Sequence, residues 1–187
     1  RPGGVDQQGH LQAVAGGVTC VQLRNKQATS RGLLEQARRL IALLRPLGVP
    51  LIVNDRVDIA LAAGADGVHV GQDDLPCADV RRLAGPACCI GVSVGSLDEA
   101  RRAEAAGADY LGVSPVFATP TKPDAPVATG LEGLARIRAA TRLPLVAIGG
   151  LHAGNCAAVR AAGADGIAVV SAIMAAADPA AAARRLV

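Results

Sequence analysis

Three times along the chain, a helix-like stretch closes on the same four residues and a short apolar run follows. The copies are Ala63-Gly64-Ala65-Asp66, Ala106-Gly107-Ala108-Asp109 and Ala162-Gly163-Ala164-Asp165, and Ala15-Gly16-Gly17 is a degenerate one. A chain that repeats helix, glycine stop and strand at intervals builds α/β units in series. The glycine supplies a left-handed helix cap and the Asp can bond the turn backbone. The apolar runs fall at 18–23, 50–54, 67–70, 89–92, 110–113, 144–148 and 166–170. They are nearly continuous in apolar residues, as strands covered on both faces of a parallel sheet must be. Between them lie amphipathic stretches, clearest over 33–47, where Leu34, Ala37, Ile41 and Leu44 share a face away from Arg38, Arg39 and Arg45. This predicts one (β/α) domain over residues 1–187, of the TIM (β/α)8 barrel type. The repeat aspartates precede their strands, at the end of a barrel where residues serve stability, so Asp66, Asp109 and Asp165 are expected to be structural.

Composition narrows the function. With one Tyr, one Phe, no Trp and a net charge of +3, the chain lacks the rings on which single-stranded nucleic acids stack. No apolar run is long enough to span a bilayer, and no signal-peptide pattern opens the sequence. The five cysteines form no CxxC pair, which predicts reduced thiols in a cytoplasmic protein. Cys20, within the first run, reads as a core thiol, and Cys88, Cys89 and Cys156 lack metal spacing. The expected partners are small molecules, with neither nucleic acid nor membrane, and a homo-oligomer is compatible with the sequence.

In barrels of this kind chemistry gathers where strands end. Those ends hold Gln22, Arg24 and Lys26; Asn54 and Asp55; Gly71, Gln72, Asp73 and Asp74; Ser93; Gly149 and Gly150; and Ser171. The stretch 114–130, with four prolines, adds Thr119, Thr121 and Lys122; an ordered loop that long is usually functional. Of the 19 Lys plus Arg residues only Lys26 and Lys122 are lysine, and both lie in these loops. A compact ammonium on a flexible stem suits a point charge set against phosphate oxygens, although solvated surface lysines are the plainer reading.

The sixth run breaks into Gly149-Gly150, and the seventh runs through Val169-Val170 into Ser171. They correspond to strands 7 and 8 of a complete barrel, whose following loops build a recurrent phosphate site. Asp55 and Asp74 end two neighbouring strands. They can cap the helices that come after them, or together hold Mg²⁺, which takes one or two carboxylates plus substrate phosphate oxygens. Asp73 competes with Asp74 for that role. His69 is expected to pack inside the barrel, and His10 and His152 to sit at helix surfaces or caps. No Ser-His-Asp or Cys-His arrangement is legible, so nucleophilic catalysis has no support.

Gly17 through Lys26, reading GVTCVQLRNK, resembles the GxxxxQLRxK signature of thiamine phosphate synthases. The likeness continues through Val53-Asn54-Asp55-Arg56, Gly67-Val68-His69-Val70-Gly71-Gln72-Asp73-Asp74, Ser93, Pro115 to Lys122, Ile148-Gly149-Gly150 and Val170-Ser171. It implies a transferase that joins hydroxymethylpyrimidine pyrophosphate to hydroxyethylthiazole phosphate, releasing pyrophosphate. By resemblance, Gln22, Arg24, Lys26, Asn54, Ser93 and Lys122 bind the pyrimidine pyrophosphate, and Asp55 and Asp74 hold Mg²⁺. Thr119 and Thr121 meet the thiazole, whose phosphate lies against Gly150, Val170 and Ser171. Among these, Arg24, Lys26, Lys122 and Ser93 are the implied catalytic groups.

Asn25 stands where the signature commonly has an acid, and Phe117 is the only ring expected near the site. A thiazole tautomerase-like relative is one alternative, but it is expected to carry a histidine where this chain has Pro115. A non-catalytic phosphate-ligand-binding barrel is another, which a full Mg²⁺ and pyrophosphate constellation disfavours. The resemblance also aligns Arg1-Pro2-Gly3-Gly4 with the segment just after the family's first strand. That, and 187 residues where such barrels take ~200 or more, implies a sequence that starts after strand 1 and leaves two sheet edges open.

Overall fold

The computed structural model describes residues 6–118 and 127–186. Among these residues seven strands form one sheet in the order β1 to β7, each pairing in parallel with its neighbour in sequence. They are β1 (Val21–Leu23), β2 (Leu51–Asn54), β3 (Gly67–Val70), β4 (Cys89–Val94), β5 (Tyr110–Val113), β6 (Leu145–Ile148) and β7 (Gly166–Ala168). The helices are α1 (Gln7–Ala15), α2 (Ser30–Leu44), α3 (Val57–Ala63), α4 (Cys77–Ala84), α5 (Leu97–Ala105), α6 (Gly130–Ala140), α7 (Cys156–Ala161), α8 (Ser171–Met174) and α9 (Pro179–Arg184). The parallel β/α units in series are as the repeat predicts, and the sheet they build is a seven-stranded half-barrel rather than the (β/α)8 barrel expected.

Alternation along the strands separates two faces. Leu51, Val53, Val68, Val70, Ile90, Val92, Leu111, Val113, Leu145 and Ala147 are buried beneath the helices. The alternate positions Gln22, Asn54, His69, Gly91, Ser93, Tyr110 and Gly112 lie on the opposite, concave face, which is far more polar. Helix α2 closes the first layer with Leu33, Ala37, Leu40, Ile41 and Leu44 buried and Thr29 capping Gly32 N–H at 3.2 Å. It starts and ends three residues earlier than the 33–47 pattern predicts. Residues Arg45–Leu47 tighten into a 3-10 turn, because Pro46 has no N–H to continue the α ladder.

Two edges also differ from expectation. The first strand starts at Val21 rather than 18, and the last ends at Ala168 rather than 170. Among the described residues each has a partner on one side only, so its ladder extends only as far as that neighbour reaches. Cys20 therefore precedes β1 and is exposed, on the same side as exposed Gln22, whereas Val21 and Leu23 are buried. It is not a core thiol.

The repeat aspartates do more than close turns. Asp66 accepts Leu51 N–H at 2.8 Å, Asp109 accepts Ile90 N–H at 2.7 Å, and Asp165 accepts Leu145 N–H at 2.8 Å. The backbone N–H of each aspartate donates to the carbonyl of the same residue. Each copy thus staples the start of its own strand to the start of the preceding one. Two of the carboxylates are anchored further, Asp109 by Arg81 at 2.6 Å and Asp165 by Arg138 at 2.9 Å. The repeat glycines Gly64, Gly107 and Gly163 all have positive φ, which reverses the chain between helix and strand. Asp109→Ala strands the N–H of fully buried Ile90 and is expected to cost about 1–3 kcal/mol. A melting curve should fall by roughly 2–10 °C while KM for each substrate is unchanged; a shifted KM would place Asp109 in the site.

Candidate active site

The C-terminal ends of β2 and β3 bring two carboxylates together. Asp55 follows Asn54 at the end of β2 and has φ 62°, the one positive φ outside glycine among the described residues. Its amide donates to His69 O at 2.8 Å, which ties this turn to β3. Asp74 Oδ2 accepts Gly71 N–H at 2.7 Å, folding the segment after β3 back on itself. Burial pushes the Asp55 carboxyl above its ordinary range, and the neighbouring Asp74 carboxyl pushes it further. Lys26 pulls the other way, with Nζ 3.5 Å from Asp55 Oδ2. Neither carboxylate caps a helix: α3 is capped at Arg56 and α4 at Pro76, both without side-chain bonds. Asp73 is exposed, whereas Asp74 is half-buried.

The other expected residues surround this pair. Gln22 projects from the middle of β1, with Arg24 exposed beyond the strand end. Asn54 is half-buried and stands in register with His69. Ser93, near the end of β4, has its carbonyl held by Gln72 Nε2 at 2.6 Å. After β6, Gly149 and Gly150 both take positive φ, 101° and 66°. A Cβ on Gly149 would meet Pro115 Cβ at 2.7 Å, and one on Gly150 would meet Ala118 O at 2.8 Å. Only glycine lets this turn pass under the segment that leaves β5. Asn155 Nδ2 holds Gly150 O at 2.9 Å. Val170 is 55% exposed at the entry to α8, and Ser171 is the first residue of that helix. Phe117 is partly buried, and its N–H bonds to Gly149 O at 3.1 Å. Thr119, Thr121 and Lys122 lie outside the described residues.

Two residues carry more than their places in the sequence suggest. His69 is buried as expected, at 7% exposure, but both of its ring nitrogens are engaged, with Tyr110 and with Ser93. Tyr110 reads in sequence only as the start of a strand. Their period-two placement on the concave face was the available signal. Among the described residues no group of three or more His, Cys, Asp or Glu side chains converges as a metal site, so Asp55 and Asp74 stand as a pair. No helix among the described residues is long and apolar enough to cross a membrane.

A half-barrel with its polar groups gathered at one end of the sheet defines an enzyme of the β/α-barrel kind acting on small molecules. Residues 7–173 match the thiamine monophosphate synthase family. The thiamine-phosphate synthase of Albidiferax ferrireducens is 58% identical over 93% of this chain and 80% of its own length. That of Chloroflexus aurantiacus is 59% identical over the same shares. The thiamine phosphate pyrophosphorylase of Pyrococcus furiosus superposes with a TM-score of 0.91 at 43% identity, over 97% of this chain and 87% of that one. A 3-hexulose-6-phosphate synthase, at 21% identity and TM-score 0.69, shares the fold alone. The chain belongs to the thiamine monophosphate synthase family, and it is a transferase of thiamine biosynthesis.

Proposed function

We propose that the rim at the C-terminal ends of the strands joins hydroxymethylpyrimidine pyrophosphate to hydroxyethylthiazole phosphate, giving thiamine phosphate and pyrophosphate. The observation that carries this reading is the Asp55–Asp74 carboxyl pair with Lys26 beside it. Two half-buried hard oxygen donors, one of them driven above its ordinary pKa by burial and then by the other, fit a small divalent cation that prefers carboxylate and phosphate oxygens. Asp55 and Asp74 would hold Mg²⁺, which supplies neutralising charge to pyrophosphate oxygens. The sheet is taken as part of an eight-stranded barrel, and the protein as cytoplasmic.

In this reading Gln22, Asn54 and Ser93 orient the pyrimidine, while Arg24, Lys26 and Lys122 hold its pyrophosphate. The bond from the pyrimidine methylene carbon to the pyrophosphate oxygen breaks, and the electron pair leaves with the oxygen. Fixed cations placed where that charge grows lower the barrier without moving. The thiazole nitrogen then donates its lone pair to the carbon and forms the new C–N bond. Thr119 and Thr121 face the thiazole, and the Gly149-Gly150 turn with Val170 and Ser171 receives its phosphate. Positive φ at both glycines is backbone geometry in which successive N–H groups can turn toward an anion. No protein nucleophile or general base is required, so the chain contributes positioning and electrostatics.

Both substrates mixed with the protein and MgCl₂ should give thiamine phosphate and pyrophosphate in equal amounts, detected by chromatography and a coupled phosphate assay. EDTA should abolish product, and restored Mg²⁺ should bring it back. Undiminished turnover in EDTA removes the metal reading. Thiazole phosphate binding with no product formed instead supports the non-catalytic phosphate-ligand barrel.

A further inference from the structure

A line of side chains crosses the concave face from one edge of the sheet to its middle. The Gln22 side chain on β1 reaches toward the Tyr110 phenol on β5 and favours its ionised form. The phenol oxygen is 2.9 Å from His69 Nδ1 on β3, and His69 Nε2 is 2.8 Å from Ser93 Oγ on β4. The two rings pack with centroids 5.5 Å apart, tilted by 37°. Their space comes from two glycines, since a Cβ on Gly91 would lie 2.0 Å from Tyr110 Cζ and one on Gly112 would lie 2.8 Å from His69 Cε1. His69 is 7% exposed and meets a hydroxyl at each ring nitrogen, and a neutral imidazole has one donor nitrogen and one acceptor.

The proton count along this line has a direction. Two proton orders fit these distances, and Gln22, which acts on the phenol as a donor would, favours the one in which the phenol proton goes to His69 Nδ1. The ring proton of His69 is then on Nε2 and donates to Ser93 Oγ. Ser93 keeps its own proton unspent, and its carbonyl is pinned by Gln72. We propose that Tyr110 and His69 are positioning residues that hold the Ser93 hydroxyl as a hydrogen-bond donor toward an acceptor atom of the pyrimidine pyrophosphate. This rests on the placement of Ser93 in the proposed substrate site. The opposite orientation would make Ser93 donate to His69 and offer the substrate only a lone pair.

The test reads the tautomer directly. In full-length protein labelled with ¹⁵N-histidine, with His10 and His152 signals assigned by single substitution, His69 should show a protonated Nε2 and a bare Nδ1. Tyr110→Phe removes the donor to Nδ1 and should shift the ring toward the Nδ1–H form. The same substitution should lower kcat/KM about tenfold, the worth of one aligned hydrogen bond in a reacting complex. It should have no further effect in a Ser93→Ala background. A wild-type Nδ1–H tautomer overturns the proposal. So does an equal Tyr110→Phe cost in both backgrounds, since that is what a purely structural tyrosine gives. Unchanged kcat/KM in Ser93→Ala overturns the site reading, and the use of the relay with it, while leaving the tautomer result in place; the two failures are thereby told apart.

Discussion

Asp55→Asn is expected to lower turnover by about 100-fold or more and, in EDTA, to raise the melting temperature rather than lower it. The two effects have opposite signs because the carboxylate is held for chemistry against local electrostatics. Its backbone has φ 62°, a conformation that Asn adopts at least as readily as Asp. Burial and the Asp74 carboxyl both raise the Asp55 pKa above its ordinary 3.8. The folded state therefore binds that proton more tightly than the unfolded chain does. Stability from this group is present below pH 3.8 and is lost as pH rises through the higher folded value, so at neutral pH the charged side chain is a net cost. Asn removes the cost together with the metal ligand. The opposing Lys26 contact offsets little, since its side chain is 58% exposed. Thermal melts in EDTA at about pH 4 and about pH 7 check the sign: the wild type should lose more stability across that interval than the variant. A variant that melts lower at both pH values while keeping its turnover would assign Asp55 to structure.

The order of units is readable in the sequence because the signal is local. Each Ala-Gly-Ala-Asp copy contains its own helix stop and strand start, and each apolar run is short and continuous. The carboxylates at 55 and 74 could be paired from the same logic, since residues that end adjacent parallel strands share one end of the sheet. What stayed hidden needed distance information. Neither His69 nor Tyr110 carries a motif that points to the other, and they meet only because register aligns His69 with Gly91 and Gly91 with Tyr110. The left-handed backbone of Asp55 is likewise invisible in a residue type that usually avoids it. Cys20 misleads for a simpler reason: an apolar run reads as one buried strand, when here its first three residues precede the strand and Cys20 is exposed.

Gly91→Ala should be among the most damaging single-methyl additions to the sheet. The new Cβ would stand 2.0 Å from Tyr110 Cζ and 2.4 Å from both Cε1 and Oη, so the ring must leave its place. Gly91 is buried at the centre of β4, between β3 and β5, and the strand cannot yield without disturbing both ladders. Overpacking of this kind costs about 2–3 kcal/mol, which should lower the melting temperature by roughly 5–10 °C. The cause is separable by a second substitution. Tyr110→Phe keeps the colliding ring carbons, so Gly91→Ala should cost the same in that background. Tyr110→Ala removes them, and the added methyl should then cost little; equal cost in all three backgrounds would place the strain in β4 itself. Because the displaced ring also carries the contact to His69 Nδ1, the same methyl should disturb the orientation of Ser93, reaching the rim through two side chains without touching a substrate.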